Sequence, residues 1–147
     1  MMKLYLDNSF LNRPFDNPNV VQNRLEAEIL FLILRLVRER KVILVNSAMI
    51  EYENSLNPFP ERKAFIKEFL KNSKIYQNVD EEIYFEAKRI VKKFKIKPID
   101  ALHLATAIKA KVDYFITCDY NLVRKFKGKL KVITPLNFLR EYEKYKN

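Results

Sequence analysis

Three aspartates and a pair of glutamates stand where the chain changes from one kind of local structure to another. Asp7 follows the short apolar run Lys3 to Leu6, Asp119 ends the run Tyr114 to Thr117, and Glu51 and Glu53 lie one or two helical turns beyond the run Val42 to Val45. Asp100 falls in the first turn of a helix opened by Pro98, whose fixed φ and missing N–H suit that position. Carboxylates gathered without a counter-charge raise one another's pKa, whereas a bound divalent cation keeps them ionised. Such a group therefore implies a metal. With one histidine and one cysteine in the chain, hard oxygen ligands favour Mg2+ or Mn2+ over Zn2+. A cation of this kind lowers the pKa of bound water and neutralises charge on phosphoryl oxygens, the requirements of phosphodiester hydrolysis. Taken singly, each acid also has an ordinary role: Asp7 in a turn, Asp100 against a helix dipole for ~0.3–1 kcal/mol, Asp119 as a helix cap.

Charge supports a phosphate-bearing partner. There are 28 Lys and Arg against 18 Asp and Glu, a formal net charge of +10, and basic residues cluster at Lys88 to Lys97 and at Arg124 to Lys131. A polyanion fits this surface, although lysine-rich helix faces are also simply well solvated. Gly128 is the one glycine, which excludes a P-loop, a dinucleotide fingerprint or any other glycine-lined phosphate cradle. Metal and side chains must do any phosphate chemistry. Cys118 has no partner for a disulfide within the chain, and no apolar run approaches the ~20 residues of a membrane span. The expectation is one domain over residues 1–147, cytoplasmic, without a signal peptide and with no membrane partner.

The elements that position these acids alternate between strand and helix. After Asp7, the stretch Asn12 to Asn19 is rich in turn formers and includes Asp16, read as a turn residue. Leu25, Ile29, Leu32, Ile33, Leu36 and Val37 recur at helical spacing from Val20 to Arg40. Val42 to Val45 reads as a buried strand. Asn46 and Ser47 offer cap chemistry for a helix carrying Glu51 and Glu53, which Pro58 and Pro60 end. A helix from about Glu61 to Lys71, a strand within Lys74 to Val79, and a helix from Asp80 to about Phe94 follow. Beyond the Pro98 helix come the strand ending at Thr117, a short helix from Tyr120 to about Phe126, a last strand Leu130 to Ile133 and a helix after Pro135. This order predicts an α/β fold with a mainly parallel sheet covered on both faces, in which ligand sites lie outside the carboxyl ends of the strands. Asp7, Asp119 and Glu51 or Glu53 share that edge.

The start KLYLDNSF and the later order IDALHLATA, spacer, YFITCD resemble the corresponding parts of PIN domains, many of which are toxin ribonucleases of VapC type. The resemblance implies a three-layer α/β/α PIN-like domain, metal-binding and catalytic roles for Asp7, Asp100 and Asp119, and a further metal-binding glutamate after the second strand. Glu53 is assigned that role over Glu51, because PIN sequences commonly place the acid on the inward face of this helix. It implies a Mg2+- or Mn2+-dependent endoribonuclease acting on RNA, with an antitoxin protein and a second copy of the chain as partners. The long helix and the helix before Pro58 are the surfaces assigned to such partners. Asn8 and Ser9 stand where many members have Thr and Asn, and they and Thr117 are placed to orient the Asp7 carboxylate or to cap strand ends. Asn121 stands where many members carry a further acid, which would weaken a second metal. His103 is read as a hydrogen-bonded core residue. Two rival readings keep the same surface: a non-catalytic nucleic-acid-binding module, and a DNA-directed nuclease of related fold.

Overall fold

A computed structural model describes every residue from Met1 to Asn147. Five strands, β1 (Met2–Leu6), β2 (Val42–Ser47), β3 (Ile75–Gln77), β4 (Tyr114–Ile116) and β5 (Lys131–Ile133), form one sheet in the order β3-β2-β1-β4-β5. Every pairing is parallel. The sheet is thus all-parallel, stricter than the sequence pattern required. Its central strands are apolar on both faces: Leu4, Tyr5, Leu6, Leu44, Val45, Phe115 and Ile116 are each 1 % exposed or less, as helices packed on both sides demand.

Eight α-helices connect and cover the strands: α1 (Asn8–Leu11), α2 (Val21–Arg38), α3 (Ala48–Ser55), α4 (Pro60–Leu70), α5 (Glu81–Phe94), α6 (Pro98–Lys109), α7 (Tyr120–Lys125) and α8 (Pro135–Lys146). The sequence pattern did not show α1, a single turn started by Asp7, nor the 3-10 turn Arg13–Phe15 inside the stretch read as a loop. Pro60 does not end α3; it occupies the first turn of α4, with Phe59 as N-cap, where its missing N–H has no cost. In α2 the buried side chains are Glu26, Ile29, Leu30, Ile33, Leu36 and Val37. Leu25 and Leu32, counted as core from their spacing, are 43 % and 36 % exposed. The apolar stripe is rotated so that an acid is buried in their place.

Side-chain caps start the helices at the carboxyl edge. Asp7 accepts from Phe10 N at the head of α1, Ser47 from Ile50 N at α3, and Asp119 from Asn121 N and Leu122 N at α7. Each satisfies orphan helix donors and fixes the entry angle of the following helix.

Turns at the other ends of helices are made without glycine. Arg40, Lys95 and Lys111 adopt left-handed φ values of 59°, 56° and 58°, a conformation costing an L-residue about 1–2 kcal/mol. Glycine avoids that cost but loses about 0.5–1 kcal/mol of chain entropy on folding. Lys95→Gly and Lys111→Gly should therefore raise stability by up to about 1 kcal/mol in urea unfolding. Gly128→Ala should lower it, because a Cβ there would lie 2.5 Å from the Phe126 ring.

Candidate functional site

Register brings the ends of β1, β2 and β4 level: Tyr5 pairs with Val45 on one side and Phe115 on the other. Asp7 follows directly, buried at 7 % exposure. Ser9 Oγ donates to its Oδ1 at 2.6 Å, Phe10 N to the same oxygen at 3.2 Å, and Thr117 Oγ1 to Oδ2 at 2.6 Å. Thr117 Oγ1 also accepts from Asp119 N at 3.0 Å. One hydroxyl thus holds the Asp7 carboxylate and the start of the Asp119 turn in fixed relation. Asn8 does not orient Asp7: its Nδ2 points to Ile50 O at 3.5 Å, and its buried Oδ1 has no donor.

The two glutamates of α3 point to different places. Glu53 Oε1 lies 2.7 Å from His103 Nε2 on α6. Glu51 instead accepts from Asn46 Nδ2 at 2.9 Å and faces Tyr76 on β3 at 3.4 Å. Asp100 is half-buried, and its carboxyl is raised above the ordinary range by burial first, then by the charge of Asp119 and, less strongly, of Glu53, with Lys97 opposing. Asp100 therefore feels the charge of Asp119 and Glu53, and the structure brings these three with Asp7 to one edge. Asp16 is paired with Arg13 and Arg62 and lines the same cleft as Ser9 and Glu53.

The donor chemistry suits a hard divalent cation. Asp100 makes no side-chain hydrogen bond, while Asp119 Oδ2 and Glu53 Oε2 are each left free by bonds that engage the other oxygen. As placed, no three of the Asp, Glu, His or Cys side chains converge on a common point as ligands of a formed site would. Asp7, with both oxygens engaged, is the most rigidly held of the four. A cleft of about 540 Å3, lined by Asn8, Ser9, Arg13, Glu53, Leu56 and Arg62 among others, opens beside it.

Sequence reasoning missed a second buried group behind the site. Glu26, fully buried, takes Arg13 Nε at 2.8 Å and the Tyr120 hydroxyl at 2.8 Å. It thereby ties α2 to the 3-10 turn and to the first residue after Asp119. The signal was present: Glu26 falls three and four residues before Ile29 and Leu30, in the register of the apolar stripe.

Burial pushes the Asp7 carboxyl up to about 6 from 3.8, although the hydrogen bonds from Ser9, Thr117 and Phe10 N pull the other way. The folded chain thus keeps this proton to a higher pH than the unfolded chain. In chelator, stability should fall as pH rises from about 4 to about 6, with the full penalty, up to about 3 kcal/mol, present above that window. Asp7→Asn has no such proton. Denaturant melts of both proteins should show the mutant gaining on the wild type across that window, and parallel curves would show that Asp7 ionises freely in the fold.

Comparison with known proteins agrees with this architecture. The family model of the PIN domain matches residues 4–127. Among solved structures, the chain is similar to VapBC2 from Rickettsia felis bound to a DNA fragment from the promoter, with TM-score 0.60, 14% identity, and coverage of 90% of this chain and 98% of that one. It is similar also to a toxin-antitoxin complex from Klebsiella pneumoniae (TM-score 0.56, 19% identity, 90% and 97% covered). A third is VapBC-1 from nontypeable Haemophilus influenzae (TM-score 0.57, 14% identity, 92% and 99% covered). At these identities the likeness is one of fold. One curated relative, a probable cytoplasmic glutamate–tRNA ligase from Vairimorpha ceranae, is 30% identical over 151 residues, 97% of this chain but 23% of that protein. The chain spans less than a quarter of that relative. With the family model covering most of its length and all four acids, the chain belongs to the PIN-domain family.

Proposed function

We propose that residues 1–147 work as one domain, a Mg2+- or Mn2+-dependent endoribonuclease acting as the toxin of a toxin–antitoxin pair. The observation that carries the reading is the gathering of Asp7, Glu53, Asp100 and Asp119 at one sheet edge, with Asp100 raised by burial first and then by the charge of Asp119. PIN domains are generally nucleases, and the toxin–antitoxin structures above share the fold.

When bound, the cation supplies an activated water and neutralises charge on the scissile phosphate. Asp100 and the free oxygens of Asp119 and Glu53 would hold it. Asp7, locked by Ser9 and Thr117, gives the edge a carboxylate that does not swing away. Glu53 Oε2 would also be available to accept a hydrogen bond from the attacking water and orient it. Lys97, at the N-cap of α6 beside Asp100, contacts the phosphate.

The two basic clusters meet in space. Arg89 and Lys93 of α5 face Lys127 and Lys129 across a cleft of about 680 Å3. Val112 and Leu130, which line it, precede β4 and β5, so it lies toward the strand ends opposite the acids. This cleft fits the backbone of an RNA segment remote from the scissile bond. For an antitoxin, the exposed apolar side chains Val21, Leu25, Phe31 and Leu32 of α2, with Leu56 and Phe59 after α3, offer apolar surface to bury. A homodimer and a cytoplasmic location complete the reading; no helix of the chain is long and apolar enough to cross a membrane.

One observation favours the non-catalytic alternative: the acids are not gathered into a formed coordination site. Purified protein with RNA and DNA oligonucleotides, in Mn2+ and in chelator, separates the readings. RNA cleavage only with Mn2+ is the expected result; cleavage of DNA alone would support the DNA-directed reading, and none of either the binding module. Glu53→Gln and Asp100→Asn should lose more than the ~10–100-fold that follows removal of a group merely supporting a ligand, and Glu51→Gln should cleave like wild type.

A binding titration tests the remote cleft. Lys127→Ala and Lys129→Ala should each weaken RNA affinity and lower the slope of log affinity against log salt by ~0.7. Unchanged slopes would remove the cleft from the binding surface.

A further inference from the structure

His103, the only histidine, is 1 % exposed and stands between two hydrogen-bond partners. Its Nε2 lies 2.7 Å from Glu53 Oε1 and its Nδ1 lies 2.7 Å from the Tyr5 hydroxyl. Tyr5 Oη is in turn 2.9 Å from Ser47 Oγ, which accepts from Ile50 N at 3.0 Å. Tyr5 and Ser47 are fully buried. The chain of bonds runs from the backbone of α3, through the ends of β2 and β1, across to α6 and back to the same α3 at Glu53.

The direction of the protons follows from what each atom can do. Ile50 N can only donate, and Ser47 Oγ has no acceptor in reach other than Tyr5 Oη. The serine proton therefore goes to Tyr5, the tyrosine proton goes to His103 Nδ1, and the proton of a neutral imidazole is left on Nε2, where it is donated to Glu53. Every donor is used once and every heteroatom is satisfied. The opposite tautomer would direct a lone pair at a carboxylate oxygen.

We propose that His103 is a positioning residue for Glu53, with Tyr5 and Ser47 setting its tautomer. The proposal rests on the metal-binding reading of Glu53 given above. The Glu53 side chain is 40% exposed, and a long, partly exposed side chain is costly to hold in one rotamer. The imidazole N–H takes Oε1 and leaves Oε2 directed to cation and water. Ligating carboxylates are commonly held by such hydrogen bonds, and losing the support typically weakens metal affinity 10–100-fold. Because His103 sits three residues after Asp100 on the same helix, α6 supplies one acid and fixes another. Ring packing supports the same arrangement: Tyr5 stacks on Phe115 at 5.1 Å and meets His103 edge-on at 5.8 Å.

The single imidazole makes the test direct. In uniformly 15N-labelled protein, metal-free and then with Mg2+, the long-range 15N–1H spectrum should show the ring protonated at Nε2 in both states. Mn2+ affinity, read from the free-ion EPR signal, should weaken about 10–100-fold in His103→Leu, be largely restored in His103→Gln, which keeps an N–H near the Nε2 position, and fall between these in Tyr5→Phe. Should His103→Leu fail to fold, Tyr5→Phe retains the ring and its packing and carries the comparison with His103→Gln. A ring protonated at Nδ1, or Mn2+ affinity indifferent to the His103 and Tyr5 substitutions while Glu53→Gln weakens it, would overturn the proposal. If Glu53→Gln itself leaves Mn2+ affinity unchanged, it is the metal-binding reading of Glu53 that fails, and this proposal fails with it.

Discussion

Repulsion between carboxylates forced to one edge of a parallel sheet is the constraint around which this chain is arranged. Parallel strands joined by right-handed crossovers deliver their carboxyl ends to the same side, so Asp7 after β1, Glu53 beyond β2 and Asp119 after β4 meet whether or not their charges favour it. The protein offsets the cost with hydrogen bonds aimed at the charged forms. Asp7 has three donors at its two oxygens, and Asp119 has two backbone donors at one of its own. Asp100 has none, and its carboxyl is raised by burial first and then by repulsion from Asp119.

Folding and the proposed chemistry use the same groups at this edge. Asp7, Ser47 and Asp119 cap α1, α3 and α7, so the backbone donors that need a partner at each helix start are what orient the site. Ser47 closes the loop by also bonding to Tyr5, which starts the chain that ends at Glu53. A helix that began one residue earlier or later would move both its cap and the acid attached to it. This coupling explains how a site can be well ordered with one glycine in the sequence: side-chain caps, rather than permissive backbone, set the turns.

Much of this was legible in the sequence. Short apolar runs ending in Asp gave the strands and the edge, because a buried parallel strand is apolar on both faces and a polar residue can follow only where it ends. The rest depended on three-dimensional context. Spacing left Glu51 and Glu53 open, and the likeness to PIN sequences was needed to choose between them; in the structure Glu51 faces Asn46 and Tyr76 while Glu53 faces His103. The four-residue α1 is too short to carry a period. The apolar spacing did not single out Glu26, though its register was that of the core; its burial is offset by Arg13 and Tyr120, neither of which is near it in sequence. Pro60 was taken as a stop when it is a start, an ambiguity inherent in a residue suited to both places.

The cleft of Arg89, Lys93, Lys127 and Lys129 lies apart from the acidic edge, and that bears on how the proposed nuclease works. At physiological ionic strength, charges on the surface are screened beyond about 8 Å, so RNA approaching the cleft of Arg89, Lys93, Lys127 and Lys129 feels little of the acidic edge. At that edge Asp7, Glu53, Asp100 and Asp119 outnumber the neighbouring Lys97, and in the proposed mechanism a cation would offset their repulsion of phosphate. Attraction of the polyanion and acceptance of its scissile group therefore depend on different charges. The first is a property of the chain alone. The second requires the carboxylates to be neutralised together, which is why their relative placement, through Thr117 for Asp7 and Asp119 and through His103 for Glu53, is held by buried hydrogen bonds rather than left to the mobile side chains that make up the basic surface.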